Sequence, residues 1–302
     1  MPSRKQLAWL AGAIVLLAGF VLVHVYLEVP HRKAPFAKAT DQSARIELSQ
    51  GASGVTLIRS GKDWTVQSST SAVYPADPDR VRTLLSGLPS VQLEDVIADR
   101  ADRAADFDVD PAKGTRVQLL GASKNLLADG IFGKQAPDYS HIYFRFPDQN
   151  TVYLARGILR GELGGTTLEE WRSRDIVTAA EPDFRAIQVD KGGSHFTFEH
   201  SSDTWTLDGR KIDPAPVYGL SGTLAHLKAD AFLTETEAAA QTFTAGKITF
   251  TTDAGSKTLL FAPTDPKTKR VAVRIDGDPQ AFWIFDSKAQ SLFPKKSSFT
   301  YK

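Results

Sequence analysis

The chain has 302 residues, 42% of them hydrophobic, enough to bury a core and to build two domains of ordinary size. Charged residues make up 24%, which argues against wholesale disorder, and a formal net charge of +1 leaves no electrostatic footprint for nucleic acid. There is no cysteine, so disulfides, thiolate metal sites and cysteine nucleophiles are excluded together.

After residues 1–6 comes an apolar run, Leu7 to Leu27, reading LAWLAGAIVLLAGFVLVHVYL. His24 is its single ionisable residue. At about 1.5 Å per residue a helix of this length spans roughly 30 Å, the thickness of a bilayer's hydrocarbon core. Trp9 and Tyr26 sit near its ends, where aromatic residues favour the interface. The run is longer than the apolar core of a cleavable signal peptide, so an uncleaved single-span anchor is expected. Arg4 and Lys5 precede it and Arg32, Lys33 and Lys38 follow, so charge alone does not orient it. Residues 28–40, rich in Pro, Lys and Ala, read as a tether.

The body then repeats itself. Ile46 and Leu48, followed by Val55 and Leu57, alternate with polar residues across a Gly- and Ser-containing turn; Ile187 and Val189, followed by Phe196 and Phe198, do the same. Each pattern reads as two half-buried strands, and Trp64 and Trp205 each open a third. Next comes an Asp-Pro pair, Asp77-Pro78 and Asp213-Pro214, which suits a helix start. Val81, Leu84, Leu85 and Leu88, and then Val217, Leu220, Leu224 and Leu227, step by three and four, marking the buried face of a helix. Strands follow in matching pairs: 115–120 with 246–252, KNLLADGIFG with KTLLFAPTDP, 141–146 with 270–275, and 150–155 with 280–285. Arg145 corresponds to Arg274. The expected fold is α+β, two tandem copies of a mostly antiparallel β-β-β-α-β-β-β-β unit at 41–178 and 182–298.

The chain carries little that reads as chemistry. Asp106, Asp108 and Asp110 have the spacing of the first calcium ligands of an EF-hand, but Pro111 and Val117 stand where that loop needs Gly and Glu, so a polar turn is expected. His195 and His200 lie on a predicted hairpin and read as solvent-facing; His141 and His226 have no partner in view. Ser221 in GLSG misses the nucleophile-elbow pattern, because Thr223 replaces its last glycine and the serine falls inside the predicted helix. No catalytic, cofactor or metal residues are assigned. Trp171, Arg172 and Arg174 form the candidate interface, Trp and Arg being common interface anchors; the competing reading is an edge strand with a buried tryptophan and solvated arginines.

The combined pattern resembles the bacterial domain-of-unknown-function family 4340. The motifs carrying the resemblance are Gly61 to Val66, Asp77 to Leu88, Phe107 to Pro111, Ile142 to Arg145 and Val152 to Leu154, with Asp108 where the family has glycine. The resemblance implies an anchored protein of the bacterial inner membrane, with residues 1–6 cytoplasmic and the body in the periplasm. It implies association with ABC-type export systems and their auxiliary subunits, including gliding-related ones, and it implies no catalytic residues.

A non-enzymatic accessory or scaffold subunit is therefore expected, with the membrane and an ABC permease, ATPase or auxiliary subunit as partners and with no nucleic acid. Two alternatives are an envelope hydrolase whose site assembles only in three dimensions, and a lipid- or glycan-binding protein with a groove between the repeats, where Trp171 and Trp283 are the residues of interest.

Overall fold

The computed structural model describes residues 34–68, 72–201 and 204–302. The expected anchor at 7–27 lies outside the described residues; among those described, no helix is long and apolar enough to cross a membrane. The chain divides into two units, one ending at Ser173 and the other running Arg174–Lys302.

In the first unit a short helix, Ala39–Gln42, leads into β1 (Arg45–Gln50), β2 (Ser53–Ser60), β3 (Asp63–Gln67) and β4 (Tyr74–Pro75). The helix Pro78–Gly87 follows, then β5 (Gln92–Ala98), β6 (Thr115–Leu120), β7 (Leu126–Gln135), β8 (Ile142–Arg145) and β9 (Val152–Arg156). These make one sheet in the order β4-β3-β2-β1-β6-β7-β8-β9-β5, every pairing antiparallel.

The second unit has β10 (Ala186–Lys191), β11 (Ser194–Ser201), β12 (Thr204–Leu207), β13 (Arg210–Lys211), the helix Ala215–Ala225 and β14 (Ala231–Phe232). It continues with the helix Glu235–Ala239, β15 (Gly246–Thr252), β16 (Gly255–Phe261), β17 (Arg270–Ile275) and β18 (Ala281–Phe285). Its sheet runs β13-β12-β11-β10-β15-β16-β17-β18-β14, which is the order of the first sheet place for place.

The registers agree as well. Ile46 faces Leu57, which faces Val66; Ile187 faces Phe198, which faces Leu207. Leu48 faces Val117 as Val189 faces Ile248, and Phe132 faces Phe144 as Phe261 faces Val273. The α+β class and antiparallel sheets follow the sequence pattern. The β-β-β-α-β-β-β-β unit gains two strands per copy, one before and one after the helix. Three of these four, β4, β13 and β14, are two residues long, too short to show a period of two.

The alternation gives each sheet one buried face. Ile46, Leu48, Val55, Leu57, Val117, Phe132 and Phe144 are within 3% exposure of fully buried, and Val81 and Leu84 of the first-unit helix, with Leu88 just after it, pack into the same core. That helix starts where it does because the Asp77 carboxylate accepts hydrogen bonds from the Asp79 and Arg80 amides at 3.0 and 3.1 Å, with Pro78 in the position that needs no donor. Asp213 receives only a longer bond, 3.3 Å, from the Ala215 amide, and the second helix begins at Ala215. On the opposite face of the first sheet a small apolar cluster, Val109, Ile131 and Val152, packs with Phe107 and Tyr143. The second unit repeats this with Leu233, Ala262, Ala272 and Ala281 beside Phe243 and Trp283.

Candidate functional site

A sheet that ends in an uncovered strand presents a row of unpaired backbone donors and acceptors. Each unit has two such ends. At β4 the end is covered by its own unit: Ala76 bridges Arg172, and the Ser173 amide donates to the Pro75 carbonyl at 2.8 Å. At β13 the last residues of the chain do the covering, with Ile212 bridging Tyr301 and the Lys302 amide donating to the Lys211 carbonyl at 3.0 Å. The chain entering β14 is covered by Arg174 and Asp175. The Ala229 amide donates to the Arg174 carbonyl at 2.7 Å, Asp175 bridges Lys228, and Arg174 Nη1 donates to the Asp230 carbonyl at 2.7 Å.

The fourth end is β5. It pairs with β9 on one side, and among the described residues no strand pairs with it on the other. Its side chains there are Asp95, Val96 and Ile97, three exposed residues in succession, with Val96 57% and Ile97 40% exposed. The ladder to β9 shifts register between Leu93 and Val96 and again before Ala98, as bulges do when they re-aim side chains at an edge.

β5 is pinned from its paired side. Glu94 accepts from Arg156 Nε at 2.9 Å and faces His141 Nε2 at 3.0 Å; Arg156 also donates to Gln92 Oε1 at 2.8 Å. His141 is held at its other nitrogen by Asp138 Oδ2 at 2.5 Å, with Ser140 Oγ at 3.2 Å from the same nitrogen. The bond to Asp138 raises the pKa of His141, and that to Glu94 adds to it against the cost of burial; the same Asp138 bond lowers the Asp138 carboxyl. An imidazole engaged by carboxylates at both nitrogens is a charged staple, with neither nitrogen left to accept a proton from a substrate. The sequence shows no partner for His141 because Glu94 lies on a strand distant in the chain and adjacent only in the sheet.

The candidate interface residues are placed as follows. Trp171 is 1% exposed and donates through Nε1 to the Gly165 carbonyl at 2.8 Å, so it belongs to the first unit's core. Arg172 lies over the Tyr74 ring at 3.7 Å, and burial lowers its pKa. Arg174 belongs to the second unit, where it covers the chain entering β14. Trp171 and the backbone of Arg172 and Arg174 thus serve the packing and edges of their own units.

The other polar positions divide between turns and surface pairs. Asp110 accepts from the Ala112 and Lys113 amides at 2.9 and 3.3 Å, closing the turn before β6, and Asp106 pairs with Arg103 at 2.6 Å. Among the described residues no cluster of His, Asp or Glu is arranged to hold a metal ion. Ser221 is buried in its helix and donates to Glu181 at 3.2 Å. His195 pairs with Asp190, its cross-strand neighbour, beside an open cavity of about 360 Å³ that Lys191, Phe243 and Lys247 also line. Asp190 also accepts from Gln188 at 3.0 Å and sits 3.8 Å from Lys247.

Comparison with curated proteins and with solved structures gives no match in either set. A family model does match: the one described as a domain of unknown function, DUF4340, over residues 64–246. That stretch runs from Trp64 of β3 to the first residue of β15, so it takes in parts of both units. It covers more than half of the chain, and the protein is a member of the DUF4340 family.

Proposed function

We propose that the protein is a non-enzymatic envelope component that serves as an accessory or scaffold subunit of an ABC-type transport system. Residues 7–27 anchor it in the inner membrane and the body faces the periplasm. The two units, alike in strand order and register, are the products of one internal duplication. The observation that carries the binding role is the β5 edge, which no segment covers among the described residues, while the protein's own chain pairs with β4, with β13 and with the residues just before β14. The apolar run and the family resemblance support the location. The test is mild crosslinking in native membranes, capture through a C-terminal tag and mass spectrometry. Permease or ATPase subunits recovered above an anchor-only control support the reading, and their absence from the captured complex overturns it.

A hydrolase or a lipid- or glycan-binding protein is the alternative, favoured by the Asp190–His195 pair beside its cavity. The sharing of Asp190 with Gln188 and Lys247 argues for a surface ion-pair network over a catalytic dyad. Bound lipid or glycan in the purified protein would reverse that preference.

A further inference from the structure

We propose that the outer edge of β5 docks an extended segment of a partner protein that carries basic residues four apart, flanking apolar ones. This rests on the accessory reading above and names the surface and the chemistry it uses.

The stretch Asp95-Val96-Ile97-Ala98-Asp99 supplies the recognition elements. An added strand gains its affinity from backbone hydrogen bonds and its specificity from the side chains flanking them. Val96 and Ile97 offer apolar area that an unpartnered edge ordinarily avoids. The neighbouring charges are largely neutralised among themselves: Glu94 by Arg156 and His141, Asp102 by Arg100 at 2.8 Å, and Asp106 by Arg103 at 2.6 Å. Asp95 and Asp99 are exposed and have no ion pair among the described residues. They are left as two uncompensated carboxylates at the ends of the apolar stretch.

The same two residues decide against a second copy as the occupant. If two β5 strands pair antiparallel about Ile97, Asp95 of each faces Asp99 of the other. Like charges directly opposite are destabilising. A segment with Lys or Arg at those two positions turns both clashes into attractions while covering Val96 and Ile97. The pinning of Glu94 by Arg156 and His141 holds the strand ready, which lowers the cost of ordering on binding.

The test uses the full chain in detergent or nanodiscs and labelled peptides carrying Lys-Val-Ile-Val-Lys between neutral flanks. Two control peptides carry Glu for both Lys, or Pro for the central Ile. Anisotropy should show binding of the Lys peptide, and not of the Glu or Pro peptides. Double reversal Asp95→Lys/Asp99→Lys should weaken it by roughly tenfold or more, while Asp63→Lys, an exposed reversal at the start of β3, leaves it unchanged. If the double reversal lowers the melting temperature, Asp95→Asn/Asp99→Asn replaces it. Equal binding of the Pro peptide, unchanged binding by the reversed protein, no binding of the Lys peptide, or a dimer of the wild type broken by Ile97→Lys would each overturn the proposal. The two readings separate in native-membrane capture. If the reversed chain still recovers the wild-type subunits, the edge is wrong and the accessory role stands.

Discussion

Trp64 of β3 and Trp205 of β12 occupy the same register position of their sheets: Arg59 is the cross-strand partner of the first and His200 of the second. The Arg59 guanidinium lies 5.1 Å over the Trp64 ring, and the His200 ring stacks on Trp205 at 4.6 Å, 10° from parallel. One position in the repeat thus keeps its geometry while the partner changes from a cation to an imidazole. The burial has diverged, with Trp205 2% exposed and Trp64 only partly buried.

That divergence predicts unequal costs. Trp205→Ala should destabilise the protein by about 3–5 kcal/mol, the range for a fully buried tryptophan. Trp64→Ala should cost less, about 1–2 kcal/mol. Among the described residues the buried Trp205 indole N–H has no hydrogen-bond partner, so Trp205→Phe should cost under about 1.5 kcal/mol, losing little packing and removing an unsatisfied donor. Denaturant titration of the three variants checks this; equal losses for the two alanine variants would contradict the assignment.

The staple at His141 predicts a pH window. Its raised pKa, caused first by the bond to Asp138 and then by that to Glu94, gives stability that is fully present below the unfolded histidine value of about 6.5. That stability is lost as pH rises through the raised value in the folded protein. Asp138 has the opposite sign: its lowered pKa contributes above the unfolded value of about 3.9 and is lost on further acidification. The stability difference between wild type and His141→Gln should therefore be largest between about pH 4 and pH 6.5 and shrink on both sides. Urea titrations across pH 3 to 9 measure it, and a difference independent of pH would remove the staple.

Arg145 and Arg274 are a second equivalent pair that the folds use differently. Arg145 donates to the carbonyls of Val109 at 3.1 Å and Gln149 at 2.9 Å, tying the chain before β6 and the β8–β9 turn to the end of β8. Arg274 lies over the Phe243 ring at 4.4 Å, and its buried Nε has no hydrogen-bond partner among the described residues. Arg145→Met leaves the carbonyl of buried Val109 without its charged donor and unties the exposed Gln149 turn, and should cost about 1.5–3 kcal/mol. Arg274→Met keeps the contact with Phe243 and removes an unsatisfied donor, so it should cost under about 1 kcal/mol. Thermal or denaturant unfolding that ranks the two the other way round would refute the distinction.

These contrasts mark what could be read without the structure. The strand pairs from Ile46 to Val66 and from Ile187 to Leu207, and both helices, announce themselves by period, because one face of each is buried. The Asp77 cap is legible for the same local reason. β5 is not, because Glu94, Asp95 and the bulges interrupt its alternation, and its meaning comes from what fails to cover it. The cover just before β14 depends on Arg174 meeting residues 229 and 230, and the His141 staple on Glu94, both contacts between segments far apart in the chain. Trp171 illustrates the limit most directly: the sequence leaves an interface anchor and a buried tryptophan both open, and the carbonyl of Gly165 accepting its N–H makes it core.

Gly157 holds the entrance to β5 in place and gives the last prediction. It follows β9 with φ +96°, and a Cβ built on it would collide with the backbone carbonyl oxygen of Ser90, two residues before β5. Gly209, in the turn between β12 and β13, has φ +77° with no atom within 4 Å of a Cβ. Both alanine variants carry the strain of a positive φ, roughly 1 kcal/mol, but only Gly157→Ala must also push the β9 end away from Ser90. Gly157→Ala should therefore be clearly the more destabilising. It should also speed hydrogen exchange at the β5 amides, while Gly209→Ala leaves them unchanged. Equal destabilisation by the two variants, with β5 exchange unaltered in both, would show that the close approach of Gly157 to Ser90 does not hold the edge.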